Sequence, residues 1–465
     1  MIYLYIIINL IISFYIIKHR GSKRLIAFMI GACLTSPLIN IISSILFLCG
    51  HTTFIVAYII SYIHHKEYIN NNLSRFPFSK ILLFIFFTFI CIGIFDFRLN
   101  LFLGFYRGIY NFVVTYFLIL IGYTSIQNIK DVYSFNNFFL KVCLIMTIYG
   151  CIAFYFKTNF YTQSVGNSVG IIARFSTSEE LLEGYRAFRL TGFFVDAGVY
   201  GILCSCFFLY LCCMYKTFVF QNKKAIICIL ILLIMNLLFS ATRGPMIAFI
   251  CGFSLYYLLK YRRKKYKLLL YSFYTIIAIS ILLYILPSNI ANYFTEITSS
   301  LIEIFSETGG KETGGSNVEF RNVQFITAYN YFWENPIFGH GFEYWKENIA
   351  PTLATQLDNG LGGMESYICF LLLEYGGLHI IAITIFYIVT TIWFWNNRKI
   401  EPDISYAAIS MNAMMVIFLA YSWFRGCWIF YLPLLGILCK TIILKKNTLI
   451  KNNYDSIQRR FTRIH

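Results

Sequence analysis

Apolar runs of roughly 16–25 residues recur along almost the whole chain, and short polar connections separate them. Runs of that length cross a bilayer as helices, so the pattern predicts many spanning helices and no barrel. The candidate spans are roughly 2–17, 25–40, 42–63, 81–95, 99–123, 138–156, 196–215, 225–240, 244–260, 267–286, 366–395, 405–422 and 428–444. Pro37 lies inside the run 25–63, which is long for one helix and tight for two, so the total is 12 or 13. Two polar stretches break the rhythm, 157–189 and 287–365. The expected fold class is an all-α polytopic membrane protein. Its parts are N-terminal helices (1–156), a first periplasmic loop (157–189), central helices (190–286), a large, partly helical periplasmic loop (287–365), C-terminal helices (366–444) and a basic cytoplasmic tail (445–465).

Composition agrees with this reading: 58% of residues are hydrophobic, 13% are charged, and the mean hydropathy is +0.67. Those values exclude an ordinary soluble domain. The net charge of +17 sits mainly in the short connections, as the positive-inside rule requires, and calls for no nucleic-acid partner. Placing Lys18-His19-Arg20 with Lys23-Arg24 in the cytoplasm puts the N-terminus outside and favours 13 spans. In that register Lys223-Lys224, Arg262-Arg263-Lys264-Lys265, Arg398-Lys399 and the tail are cytoplasmic. The large loop falls outside, with ten acidic residues against Lys311, Arg321 and Lys346. All 14 cysteines lie in or at the ends of apolar runs, without zinc or disulfide spacing, so no metal or cofactor is expected. Met1-Ile2-Tyr3-Leu4 lacks a basic n-region, no small-residue cleavage site follows, and the first helix reads as retained.

Candidate chemistry gathers at the outer face. Arg243 occupies a tight turn, Phe239-Ser240-Ala241-Thr242-Arg243-Gly244-Pro245, where a guanidinium either forks onto phosphate oxygens or snorkels to headgroups. Arg189 opens Arg189-Leu190-Thr191-Gly192-Phe193-Phe194 where the chain re-enters the membrane, whereas Arg174 and Arg186 have Glu179, Glu180 and Glu183 nearby as ion-pair partners. In the large loop, 299–306 is amphipathic and 320–332 has helical spacing. Glycine clusters at 309–315 and 360–363 mark either the hinges of a lid or a solvated linker. His340, flanked by glycines, presents either a titratable ring or a structural one. Glu365 is either a general base or a favourable first-turn charge, and Glu374 is an acid inside a spanning segment.

These stretches, in order, resemble motifs of the O-antigen polymerase and ligase superfamily. Arg189-Leu190-Thr191-Gly192-Phe193-Phe194 is similar to its arginine-glycine-aromatic stretch, and Ser240-Ala241-Thr242-Arg243-Gly244 to its Ser-x-x-Arg-Gly turn. Arg321 with Asn335-Pro336-Ile337-Phe338-Gly339-His340-Gly341 is similar to its Arg…Pro-Leu-x-Gly-x-Gly segment. Glu365-Ser366-Tyr367 with Glu374-Tyr375-Gly376-Gly377-Leu378 is similar to its His-Asn-x-Tyr…Glu-x-Gly-Leu-x-Gly helix. Ligases place a histidine where this chain has Glu365, and His379 stands where the last glycine is expected, so a polymerase fits better.

The resemblance implies a multi-pass protein of the bacterial inner membrane. It would join undecaprenyl-diphosphate-linked glycan donor and acceptor at the periplasmic face by metal-independent glycosyl transfer, with a chain-length regulator as a possible partner in the same membrane. Arg189, Arg243 and Arg321 would hold the diphosphate, and Glu365 or His340 would act on the attacking hydroxyl. The alternatives are an O-antigen ligase acting on lipid A-core and, in another class, a flippase for lipid-linked oligosaccharide. Charge gathered at one face, without matched broken segments, speaks against the flippase.

Overall fold

The computed structural model describes residues 2–35, 51–67, 76–161, 188–194, 196–217, 222–262, 318–349, 366–421 and 428–461. Among these residues all regular structure is helical. The helices are α1 (Ile2–Lys18), α2 (Gly21–Thr35), α3 (His51–His64), α4 (Ser79–Ile94), α5 (Leu101–Val114), α6 (Leu118–Thr124), α7 (Ile129–Tyr155), α8 (Ala197–Met214), α9 (Asn222–Phe239), α10 (Arg243–Lys260), α11 (Val318–Glu334), α12 (Tyr367–Phe370), α13 (Gly376–Asn397), α14 (Pro402–Tyr421) and α15 (Trp428–Phe461). The chain is an all-α polytopic membrane protein. Among the described residues five helices are long and apolar enough to cross a bilayer, or six if the bent pair α5–α6 is one span, and α1, α3 and α4 are shorter apolar helices.

Among the described residues of the long run 25–63, α2 ends at Thr35 and α3 starts at His51. The run 99–123, expected as one span, is bent by 45° between α5 and α6. At the bend the Thr115 hydroxyl donates back to the Asn111 carbonyl, the i−4 contact that competes with the helix ladder and bends it. The expected span 267–286, the amphipathic stretch 299–306, both glycine clusters, residues 162–187 and Glu365 lie outside the described residues.

Helix α8 is the centre of the bundle, with every residue except Cys212 buried. Lipid tails are as apolar as leucine, so such a helix is held by close packing and by polar contacts to its neighbours. Tyr210 donates from its hydroxyl to Asn136 Oδ1 at 2.6 Å, and Tyr200 to Asn236 Oδ1 at 2.7 Å, which ties α8 to α7 and α9. Arg24, expected from sequence in a cytoplasmic basic connection, is fully buried. It pairs with Glu67 at 2.9 Å and lies 3.9 Å from the Tyr58 ring centroid. Outward faces carry Leu10, Phe14, Leu83, Phe87, Ile145 and Ile231, a surface suited to lipid rather than water.

Helices α10 and α14 run antiparallel. Lys260 pairs with Asp403 at 3.4 Å at one end, and Gly252 packs on Met414 midway. Arg243 therefore lies beside the C-terminal end of α14, where Ser366 Oγ donates to the Ala420 carbonyl at 2.8 Å. Helix α13 starts at this same end and finishes at Arg398, beside the far end of α10.

Candidate functional site

The segment from α12 to α13 is a helix interrupted by its own sequence. A π turn occupies Leu371–Tyr375, and Gly376 takes φ +70°, which ends the regular ladder. An unbroken helix would bond the Gly377 and Leu378 amides to the Leu373 and Glu374 carbonyls. Those four groups bond instead to the loop after α11. Gly377 N–H donates to the Pro336 carbonyl at 2.7 Å, and Leu378 N–H to that of Ile337 at 3.1 Å. In return His340 N–H donates to the Leu373 carbonyl at 3.0 Å, and Gly341 N–H to that of Glu374 at 3.1 Å. The two motifs are halves of one backbone clamp.

Glycine is required on both sides of it. Gly339 takes φ +69°, and a Cβ there would lie 2.5 Å from the Glu374 carbonyl carbon. A Cβ on Gly376 would run into the Gly339 amide.

Side chains fasten the clamp to its surroundings. His340 stacks on Tyr344 with ring centroids 4.5 Å apart, and its Nε2–H donates to the Tyr331 carbonyl at 2.9 Å. Nδ1 is then the acceptor, facing Asn335 Nδ2 at 3.4 Å. The side chain is only 8% exposed, so the ring is packed into the loop rather than presented to solvent. Glu374 is 1% exposed, and its carboxylate accepts the Trp345 amide at 3.2 Å. Burial raises the Tyr344 phenol above its usual range, with Tyr331 and Glu334 adding to the rise and Arg98 offsetting part of it.

A group that the sequence reading missed pins the same loop to the α4–α5 hairpin. Arg98 grips the buried Asp96 carboxylate with Nε at 2.9 Å and Nη2 at 2.7 Å. It also donates to the Phe342 carbonyl at 3.0 Å and to Glu347 at 3.1 Å. Arg107 adds bonds to Phe342 O at 3.3 Å and to the other Glu347 oxygen at 3.1 Å. A signal was available in the sequence: Arg98 falls in the connection 96–98, which the expected register puts outside, where orientation rules disfavour arginine, and Arg107 is a charge inside the expected span 99–123.

Two of the other expected site residues, Arg189 and Arg243, lie on segments that pack together at this end of the bundle. Leu190 N–H donates to the Phe239 carbonyl at 3.0 Å, and Asn159 holds both the Arg189 carbonyl, at 3.0 Å, and the Thr191 amide, at 3.1 Å. The Arg189 segment thus lies against the Phe239–Arg243 turn, where Ala241 takes φ +47° and Arg243 opens α10. Both arginines are half-buried. The side-chain hydrogen bonds and ring contacts of His340 fall within 331–344, and none of them involves Arg189 or Arg243. Arg321 lies on α11, and Glu365 lies outside the described residues.

A family description for O-antigen ligase matches residues 228–382, about a third of the chain. The match runs from α9 through the Arg243 turn and both halves of the clamp. Over that third of its length the chain is similar to the O-antigen ligase family. None of the curated proteins searched matches it. The matched segment includes Arg243, Arg321, His340 and Glu365, while Arg98, Arg107 and Arg189 come before it.

Proposed function

We propose that this chain polymerises undecaprenyl-diphosphate-linked repeat units at the periplasmic face of the bacterial inner membrane. The carrying observation is the reciprocal clamp between 336–341 and 373–378, set at the same end of the bundle as the Arg189–Arg243 cluster. An acceptor hydroxyl oxygen attacks the donor's anomeric carbon, the bond from that carbon to the diphosphate oxygen breaks, and undecaprenyl diphosphate leaves with the electron pair. Arg189, Arg243 and Arg321 bear the charge that grows on the diphosphate, a task guanidinium groups perform with paired N–H donors and without a metal. The hydroxyl proton goes to Glu365 or to His340. The His340 contacts favour Glu365 as the base and give His340 a positioning role, since Nε2–H is held by the Tyr331 carbonyl and the Nδ1 lone pair, where a proton would go, faces Asn335 Nδ2.

A ligase is the second reading, favoured by the description of the matching family. Glu365 where ligases carry histidine supports the polymerase instead, as does His379 in place of a final glycine. His379 is fully buried, with Nδ1 2.7 Å from the Thr88 hydroxyl.

The test is surface-glycan laddering in a strain lacking its own polymerase. Wild type restores the ladder, while Arg243→Ala and Glu365→Gln, expressed to the same level, collapse it to one repeat unit. Lipid-linked polymer that accumulates without reaching lipid A-core marks a ligase. Lipid-linked units held on the cytoplasmic leaflet mark a transporter.

A further inference from the structure

At the end of the bundle opposite Arg243, α10 and the α13–α14 turn enclose a cavity of about 650 Å³, lined by Leu259, Lys260, Tyr261, Arg262, Arg398, Lys399 and Tyr406. Four of these residues are cations and none is acidic. The neighbouring cavity, about 280 Å³, is different: Lys216 and Lys445 line it together with Asp403 and Glu401, paired at 2.7 and 2.5 Å. In the larger cavity Lys260 is shared with Asp403 and the Tyr256 hydroxyl, and Arg398 is held by the Trp395 carbonyl at 2.6 Å. Arg262 and Lys399, both exposed, form no ion pair among the described residues. Positive charge facing a cavity without a counter-charge calls for an anion.

We propose that this cavity is a phosphate-binding site filled by the headgroup of an anionic phospholipid. Its size lies in the range of small-ligand sites. The position selects a lipid over a soluble anion. Leu259 forms an apolar wall, Tyr261 and Tyr406 are the amphipathic rings found at membrane interfaces, and the outer faces just beyond carry exposed Leu258 and Ile392 for acyl chains. A basic pocket between helix ends at the membrane surface is a known arrangement for anionic headgroups. The two helices that end here, α10 and α13, begin at the Arg243 turn and at the clamp, so the bound headgroup secures the far ends of the elements that carry the candidate site.

The test uses the full-length protein, delipidated in detergent and then titrated with phosphatidylglycerol, phosphatidylcholine, inorganic phosphate or pyrophosphate, with retained ligand counted by native mass spectrometry. Phosphatidylglycerol is expected to bind over phosphatidylcholine. The double variant Arg262→Gln, Lys399→Gln is expected to weaken it by about 30-fold, as for loss of two cations near an anionic group. Lys446→Gln, an exposed cation outside the cavity, retains the wild-type affinity. Equal binding of the two lipids, or an unaffected double variant, overturns the site. Phosphate or pyrophosphate binding as tightly as the lipid overturns its assignment to a lipid.

Discussion

Gly339 and Gly376 face each other across the clamp, each in the left-handed region and each without room for a side chain. Alanine at either position meets two penalties. The backbone conformation costs about 1–2 kcal/mol, and the new methyl pushes apart the two segments that carry four reciprocal hydrogen bonds. Gly339→Ala and Gly376→Ala are therefore expected to lower the thermal stability of the purified protein by at least that amount and to shorten the glycan ladder. Ile337→Ala, whose side chain is 59% exposed, changes neither by more than a few tenths of a kcal/mol. Equal melting temperatures and ladders for all three variants would sink the clamp as a functional element. The glycine spacing of both motifs was plain in the sequence. That they complete each other's hydrogen bonds was not, because nothing local at Pro336 specifies a partner some forty residues later.

At the scale of elements, the α4–α5 hairpin holds the loop through charges of unequal burial. Asp96 is fully buried and takes two bonds from Arg98, whereas Glu347 is 39% exposed and only bridges Arg98 to Arg107. Removing Arg98 leaves a carboxylate buried without its cation, which costs about 1–3 kcal/mol or more. Changing Glu347 to glutamine removes part of a half-exposed pair, worth about 0.2–1 kcal/mol. Thermal unfolding in detergent is expected to rank Arg98→Ala well below Glu347→Gln, and limited proteolysis to open the 343–349 segment in both. The reverse order would mean that Asp96 does not depend on Arg98. Hydrophobic periodicity located α4 and α11 closely, since a helix face is written in consecutive residues, but it ran α5 and α6 together as one span. The latch was hidden because Arg98 and Glu347 are 249 positions apart, and each alone looks like an ordinary charge at a membrane edge.

For the whole molecule, the two ends of the bundle differ in the charges they show, and that difference orients it. One end collects Lys216, Lys260, Arg262, Arg398, Lys399 and Lys445 around two acids. The other carries Arg98, Arg107, Arg189 and Arg243, with Asp96, Glu343 and Glu347 held among them. Flexible, strongly hydrated lysines in short connections are what retention on the cytoplasmic side requires, whereas the arginines of the other end are half-buried or bonded to backbone and carboxylates. The lysine-rich end is thus expected in the cytoplasm and the clamp outside. Fusions after residue 399 and after Lys446 should make a cytoplasm-dependent fluorescent reporter glow, and a fusion after residue 310 should activate a periplasm-dependent phosphatase. The opposite pattern would put the arginines beside the cytoplasm, where nucleotide-activated sugars are found, and would remove the lipid-linked donor from the proposed reaction. A mixed pattern, with residues 310 and 399 on one side, would mean that the chain between them does not cross the membrane an odd number of times, despite the length of the helix Tyr367–Asn397.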